Sequence, residues 1–326
     1  MAYEVPILNQ FLIPHMKISS HDEYSTLKSI VVGDATHANW PINDPVFNTE
    51  AERTLWKETP VPSGPVPQWI IDEANQDLQT LADTLTAHGV EVVRPDPLNF
   101  QVHDGLYNYC PRDRLIVHGS IVIDPAMMYP CRDMELQCYH DILQAADQVI
   151  TMPRAAGMVL DAANVLRVKQ DKWLFLESAS GNRAAYEWLC NQFPDVDIEL
   201  CNFYAGVHID STLVALNADQ FVVNGSRLDA SLQPKCLPRH LKGKQVLFVE
   251  EIVAQGFHEY PYASKWIGLN MLSIDPKTVI VDAKQEAMIQ VLEQHMGMKV
   301  IPLELRHSRT LGGGFHCVTL DLHREP

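Results

Sequence analysis

Basic residues are scarce in this chain. Lys and Arg number 25 against 41 Asp and Glu, a formal net charge of −16 over 326 residues. A surface of that sign repels phosphate backbones, so nucleic acid and anionic membranes are excluded as expected partners and cationic ligands are favoured. No run of 18 apolar residues occurs, which excludes a helical membrane span. The N-terminus, MAYEVPILNQFLIPHMK, has no basic region ahead of an apolar core and is poor in Arg and Ser. Neither a signal peptide nor a mitochondrial presequence is expected, and the location is read as cytoplasmic. The seven cysteines are scattered and none forms a CxxC pair, so neither a zinc knuckle nor a redox motif is expected. A chain of this length with 46% hydrophobic residues needs no disulfide staples, consistent with a reducing compartment. The three glycines Gly312, Gly313 and Gly314 are not followed by GK[ST], and the strand comes after them, so they are not a phosphate loop.

What is present is a recurring unit of strand, turn, second strand, often a helix, then a third strand. The last copy is the clearest. NMLSI (270–274), the turn DPK and TVIVD (278–282) lead into a helix with Met288, Leu292 and Met296 on one face, Gly297 as its stop, and the strand KVIPLEL. In the first copy LKSIVVGD (27–34) precedes a loop rich in Pro and Trp. The helix EANQDLQTLADTLTAHG (73–89) follows, with Leu78, Leu81 and Leu85 on one face, and then the strand VEVVRP. Further copies start near DRLIVHGSIVID (113–124), NVLRVKQDKWLFLES (164–178) and STLVALNADQFVVN (211–224). About five such units suggest blades around an axis or a stacked array; the competing reading is a generic α/β domain. TPVPSGPVPQ (59–68) is read as a surface connection within one domain spanning 1–326, with residues 1–20 an N-terminal extension.

Candidate chemistry sits at the strand edges. In GVHIDST (206–212), strand alternation places His208 and Asp210 on one face, as an acid/base pair, a metal half-site or a structural hydrogen bond. Asp113 of PRD, Asp161 of LDAANVLRV, Arg227 of SRL and Ser264 of ASKWIG each also suit a cap, a turn or a solvated position. Cys317 follows the glycines at what reads as the head of a strand, where the backbone can approach a ligand. Alternation sends His316 to the opposite face, so it is not paired with Cys317. As a set, these residues suit a thiol nucleophile acting on a cationic guanidino substrate. Carboxylates would grip the guanidinium, a His would protonate the departing amine, and an Asp would orient that His.

The motifs GLYNYCPRD (105–113), LDAANVLR (160–167), HIDSTL (208–213), ASKWIGLNMLSID (263–275) and LGGGFHCVTLDL (311–322) resemble those of the arginine:glycine amidinotransferase family of the guanidino-group-modifying, or pentein, superfamily. The resemblance runs from about residue 20 to residue 323. It implies an α/β fold, the five-bladed α/β propeller with pseudo-fivefold symmetry. It also implies transfer of an amidino group from L-arginine to an acceptor amine, releasing L-ornithine. Carried over, Cys317 is the nucleophile, His208 the acid/base and Asp161 its orienting partner; Asp113 and Asp210 hold the guanidinium, Arg227 binds the substrate carboxylate, and Ser264 lies in the same pocket. No metal or organic cofactor is implied, and homodimers are common among members.

Compared with the vertebrate glycine-using enzyme, Ala205 and Val207 replace Asn and Met, Ala263 replaces a second Ser, and Asn164 replaces an Asp that often follows DAA. The stretch between PRD and LDAAN is shorter. These departures are assigned to the acceptor side and point away from glycine, as among members that amidinate larger amines in bacterial secondary metabolism. The alternative enzyme is a guanidino hydrolase giving citrulline; a non-catalytic arginine-binding propeller is the third reading. Crowded carboxylates are expected to raise the Cys317 thiol in the empty site, with bound arginine reversing that.

Overall fold

In the computed structural model, residues 16–42, 63–202, 208–225, 237–250 and 267–326 are described, and they form five three-stranded sheets of one topology. The first has β1 (Thr26–Val32) at its centre, antiparallel to β17 (Thr319–Glu325) and parallel to β4 (Glu91–Val93). The second comprises β5 (Ile116–His118), β6 (Ile121–Asp124) and β7 (Gln148–Thr151). The third comprises β8 (Val165–Lys169), β9 (Lys172–Leu176) and β10 (Asp197–Cys201). The fourth comprises β11 (Leu213–Ala215), β12 (Gln220–Asn224) and β13 (Gln245–Val249). The fifth comprises β14 (Leu272–Asp275), β15 (Thr278–Asp282) and β16 (Lys299–Leu303). Each middle strand runs antiparallel to the first strand and parallel to the third. A small antiparallel pair, β2 (Asn39–Trp40) and β3 (Gly64–Pro65), lies outside this scheme and takes up part of the Pro-rich connection.

Middle strands read as unbroken apolar runs because both their faces are covered. Trp173, Leu174, Phe175 and Leu176 of β9 and Val279, Ile280 and Val281 of β15 are all without solvent exposure. The parallel third strand needs a crossover, and helices supply it. Helix Gln68–Ala87 buries Ile70, Ala74, Leu78, Leu81 and Leu85 at helical spacing, and Gly89, with φ +78°, turns the chain out of it. It begins five residues before the expected Glu73, because the chain turns in directly after Pro67 and Ile70 and Ile71 join the buried face. Helix Arg183–Gln192 is capped by the Asn182 side chain, which accepts from Ala185 N at 3.0 Å. Helix Glu286–His295 buries Met288 and Leu292 and is followed by Gly297 at φ +66°.

The core is distributed between neighbouring sheets. Val31 and Leu320 of the first meet Val117 and Val122 of the second. Ile123 meets Val165 and Phe175 of the third, and Leu174 meets Phe221 and Val223 of the fourth. Val222 meets Val279 and Val281 of the fifth, whose Leu272 and Ile280 pack against Ile30 and Val32 of the first. Ser19 is tied to β17 on both sides, its N–H donating to Leu322 O at 2.7 Å and its carbonyl accepting from Arg324 N at 2.8 Å. Among the described residues no helix is long and apolar enough to cross a membrane.

Leu81 is fully buried against the first sheet's cluster. Leu81→Ala is expected to cost about 2–5 kcal/mol, since the cavity adds to the lost transfer energy. Urea denaturation checks it; an unchanged midpoint would remove this helix from the stabilising core.

Candidate active site

The first strand of every sheet is entered by a turn, and those five turns carry the polar residues that converge. Cys317 precedes β17, Asp113 lies in the helical turn Pro111–Arg114 before β5, and Asp161 introduces the 3₁₀ turn Ala162–Asn164 before β8. His208 and Asp210 flank Ile209 in the turn before β11, and Asn270 precedes β14. His208 Nε2 is 3.0 Å from Asp161 Oδ2, and its Nδ1 is 3.6 Å from Asp113 Oδ1. The Cys317 thiol donates to Asp210 Oδ2 at 3.3 Å. Asp161 Oδ1 in turn accepts from Met128 N at 2.9 Å, which fixes the carboxylate facing His208. Asp113 Oδ2 takes Arg132 Nη1 at 2.9 Å, and Asp210 Oδ2 takes His316 Nδ1 at 2.8 Å. The other oxygen of each, Asp113 Oδ1 and Asp210 Oδ1, is buried and accepts no hydrogen bond among the described residues.

The glycine triplet has three separate reasons. Gly312 is left-handed, φ +79°, and closes the helical turn Ser308–Leu311. A Cβ on Gly313 would lie 2.4 Å from Cys110 Sγ, and one on Gly314 would lie 2.8 Å from Asn270. The chain therefore passes close to its own neighbours here, where close passage of a ligand was expected. Asn270 holds the result: its Oδ1 accepts both His316 N, at 3.0 Å, and Cys317 N, at 2.9 Å.

No family model matches the chain. An inosamine-phosphate amidinotransferase from Streptomyces glaucescens is 36% identical over 342 residues, covering 94% of this chain and 97% of that protein. The chain belongs to the amidinotransferase family. The solved inosamine-phosphate amidinotransferase from Streptomyces griseus superposes with a TM-score of 0.83 at 32% identity, covering 95% of this chain and 97% of that one. An L-arginine:L-lysine amidinotransferase from Pseudomonas savastanoi pv. phaseolicola is 25% identical, covering 97% and 96%. The fold is thus of the α/β pentein type, and the protein is a transferase of amidino groups.

Two local expectations are corrected in this amidinotransferase. His208 and Asp210 do not share the face of a strand: residues 209–211 form a 3₁₀ turn, and His208 has φ +59°. That sparsely populated backbone is held by Asn164, whose Oδ1 accepts His208 N at 3.1 Å. His316 is not turned away from Cys317 either. Residues 314–318 form a turn, with Val318 N bonded to Gly314 O at 2.9 Å, so strand alternation does not apply and both side chains reach the one carboxylate of Asp210. Cys317 accordingly stands two residues ahead of its strand.

Asn164, grouped by sequence with the acceptor-side departures, is fully buried behind His208. Its Nδ2 donates to Ser180 O at 2.7 Å and Oγ at 2.8 Å, which an Asp cannot do. Arg227, Ser264, Ala205, Val207 and Ala263 lie outside the described residues. Sequence reasoning missed Arg132, His316, Glu23 and Asn270 as parts of the site. Asn270 alone had a usable signal, its place at the head of the fifth unit.

The electrostatics separate the groups. Burial pushes the Cys317 thiol well above its ordinary value, and the charges of Asp210 and Asp113 add to it. Burial also raises Asp113, outweighing His208 and Arg132. Burial works against ionised Asp210 too, but the His316 hydrogen bond and the charges of His316 and His208 hold it below the usual carboxylate range. For His208 burial opposes the charge, yet Asp113, Asp161 and Asp210 outweigh it and raise it to about 9. Its folded value exceeds its unfolded one, so its stabilising contribution is full below pH ~6.5 and is lost as pH rises through about 9. Asp161→Asn is expected to bring the His208 titration down, readable by ¹⁵N-histidine NMR. An unmoved titration would remove Asp161 as its electrostatic partner.

Proposed function

We propose that this amidinotransferase takes the amidino group of L-arginine onto Cys317 and passes it to an acceptor amine, releasing L-ornithine. The observation that carries the reading is the pair of buried carboxylates Asp113 and Asp210 whose charges act on the Cys317 thiol, each with an Oδ1 that accepts no hydrogen bond among the described residues, that of Asp113 facing His208 Nδ1 at 3.6 Å. Acceptor-only oxygens out of water call for donors, and a planar guanidinium brings five N–H groups and a positive charge. That charge offsets the carboxylates that oppose the thiolate, so the donor substrate activates the nucleophile, its thiol proton passing to solvent as the cation binds.

The thiolate forms an S–C bond to the guanidinium carbon. The C–N bond to the ornithine nitrogen breaks as His208, an imidazolium at neutral pH, gives its proton to the leaving amine. Cys317 then carries a cationic amidino group between the two carboxylates. The acceptor amine attacks that carbon, His208 regains a proton from it, and the S–C bond breaks to return the thiolate. The order is ping-pong.

Arg227 is assigned to the substrate carboxylate and Ser264 to the same pocket by family correspondence. The L-arginine:L-lysine relative supports arginine as donor, and the more similar inosamine-phosphate relatives, at 33–36% identity against 24–25% for the glycine amidinotransferases, support an acceptor larger than glycine. The five core clusters, each joining one sheet to the next and the fifth to the first, support a five-bladed propeller with pseudo-fivefold symmetry. We read 1–326 as one catalytic domain with an N-terminal extension, the end of which, at Ile18 and Ser19, is already built into the core and against β17. The cytoplasmic reading rests on composition and the N-terminal sequence, and a homodimer is the family's expectation, which sedimentation of a monomer would remove.

L-arginine alone should give no citrulline, and L-arginine with a panel of amines should give ornithine only where an acceptor is present. Citrulline from arginine alone would replace the transferase with a hydrolase. Cys317→Ala should abolish turnover, a loss beyond about 10⁴-fold, while leaving the fold intact; turnover retained by that variant would remove the nucleophile.

A further inference from the structure

The two carboxylates with unpartnered oxygens are built on one plan. Asp113 is backed by Arg132, and Arg132 is held in a fork by Glu135, Nε to Oε1 at 2.8 Å and Nη2 to Oε2 at 3.0 Å. Asp210 is backed by His316, and the far nitrogen of His316 meets Glu23 Oε2 at 3.2 Å. All four backing residues are buried. The arms differ in one respect: the guanidinium of Arg132 keeps its proton throughout the working range, and an imidazole does not.

Both ring nitrogens of His316 face carboxylate oxygens. An ionised carboxylate only accepts, and a neutral imidazole has one N–H to give. Neutral His316 would set a lone pair against one of two buried anions. The charged groups around His316 are Asp210, Glu23 and Arg112, whose Nε donates to the His316 carbonyl at 3.3 Å. Glu23 is itself held ionised by Arg167, Nε at 2.9 Å, and Arg112, Nη1 at 3.2 Å. The Cys317 thiol shares Asp210 Oδ2 with His316.

We propose that Glu23 and His316 are positioning residues for the donor guanidinium: His316, an imidazolium held by Glu23, fixes Asp210 as an oriented carboxylate, so the Asp210 arm of the pocket is backed by a titratable cation and the Asp113 arm by a permanent one. This rests on the reading that the pocket takes a guanidinium. Burial and Arg112 oppose the charge on His316, and Asp210 and Glu23 outweigh them, so its titration is raised. The arm is therefore set below that raised value and released as pH rises through it.

The test is calorimetric binding of L-arginine across pH to Cys317→Ala protein, alone and combined with Glu23→Gln or His316→Gln. This background removes turnover and the need for an acceptor. With Glu23→Gln, the weakening of binding at high pH should move to lower pH. With His316→Gln, affinity should fall about tenfold or more, and the pH dependence due to His316 should vanish. Folded double variants that bind L-arginine with the affinity and pH profile of Cys317→Ala alone would overturn the proposal. Glu23→Gln leaves Arg112 and Arg167 short of a counter-charge; if it fails to fold, His316→Gln and ¹⁵N-histidine NMR of the unsubstituted protein decide. A neutral His316 at pH ~7 overturns the proposal. If Cys317→Ala binds no L-arginine, the guanidinium reading fails and the positioning role with it. The NMR state of His316 then shows separately whether the Glu23–His316–Asp210 arrangement stands.

Discussion

Ionised groups kept in a dry interior are the constraint on which this molecule depends. Glu23 and Asp321 lie beneath the site, fully enclosed, and neither persists there without cations. Arg112 bridges them, with Nη1 to Glu23 at 3.2 Å and Nη2 to Asp321 at 2.8 Å. Arg167 adds 2.9 Å to Glu23, and Arg324 adds 2.8 Å to Asp321. These guanidinium groups come from the turn before β5, from β8 and from β17, so three sheets are bolted to one charge cluster. Such a cluster is poor evidence for stability, because desolvation consumes most of its attraction, but losing one member costs about 3–5 kcal/mol. Its value here is positional. It sets the registry of the turns that present Cys317, Asp113 and Asp161, and it holds the glutamate behind His316.

The pocket above repeats the logic with a deliberate gap. Asp113 and Asp210 each have one hydrogen-bonded oxygen and one that accepts no hydrogen bond among the described residues, an arrangement that suits a cationic ligand. Burial and the same crowding of carboxylates hold the Cys317 thiol protonated. Its surroundings oppose a second anion, and a thiol in that state is a poor target for stray electrophiles.

Much of this was legible in the sequence, and the gaps have physical causes. The helix over Leu78, Leu81 and Leu85 and the hairpin of LSID with TVIVD were readable because apolar spacing reports a buried face directly. The residues that approach the thiol were readable through motifs, which carry position without geometry. Strand alternation failed at HID and FHC because both stretches are turns, and a turn of three to five residues leaves no periodic signal. Arg132 and Glu135 were invisible, since they lie in a 3₁₀ stretch, Pro130–Tyr139, whose polar residues look solvent-facing in sequence and are drawn inward by Asp113, the Cys110 carbonyl and the Tyr107 ring.

β17, which follows Cys317, has consequences for how the protein comes to exist. Its partner β1 lies at the other end of the chain, and Arg324 donates to the carbonyl of Ser25, 299 positions earlier. Closing so long a loop costs entropy before the pairing returns anything, so this sheet belongs among the slow, late events of folding. Cys317 is delivered by that event. During synthesis every carboxylate and the histidine of the site emerge before the thiol does. The Cys317 thiol is thus the last of these groups to appear, and its placement against Asp210 waits on the pairing of β17 with β1.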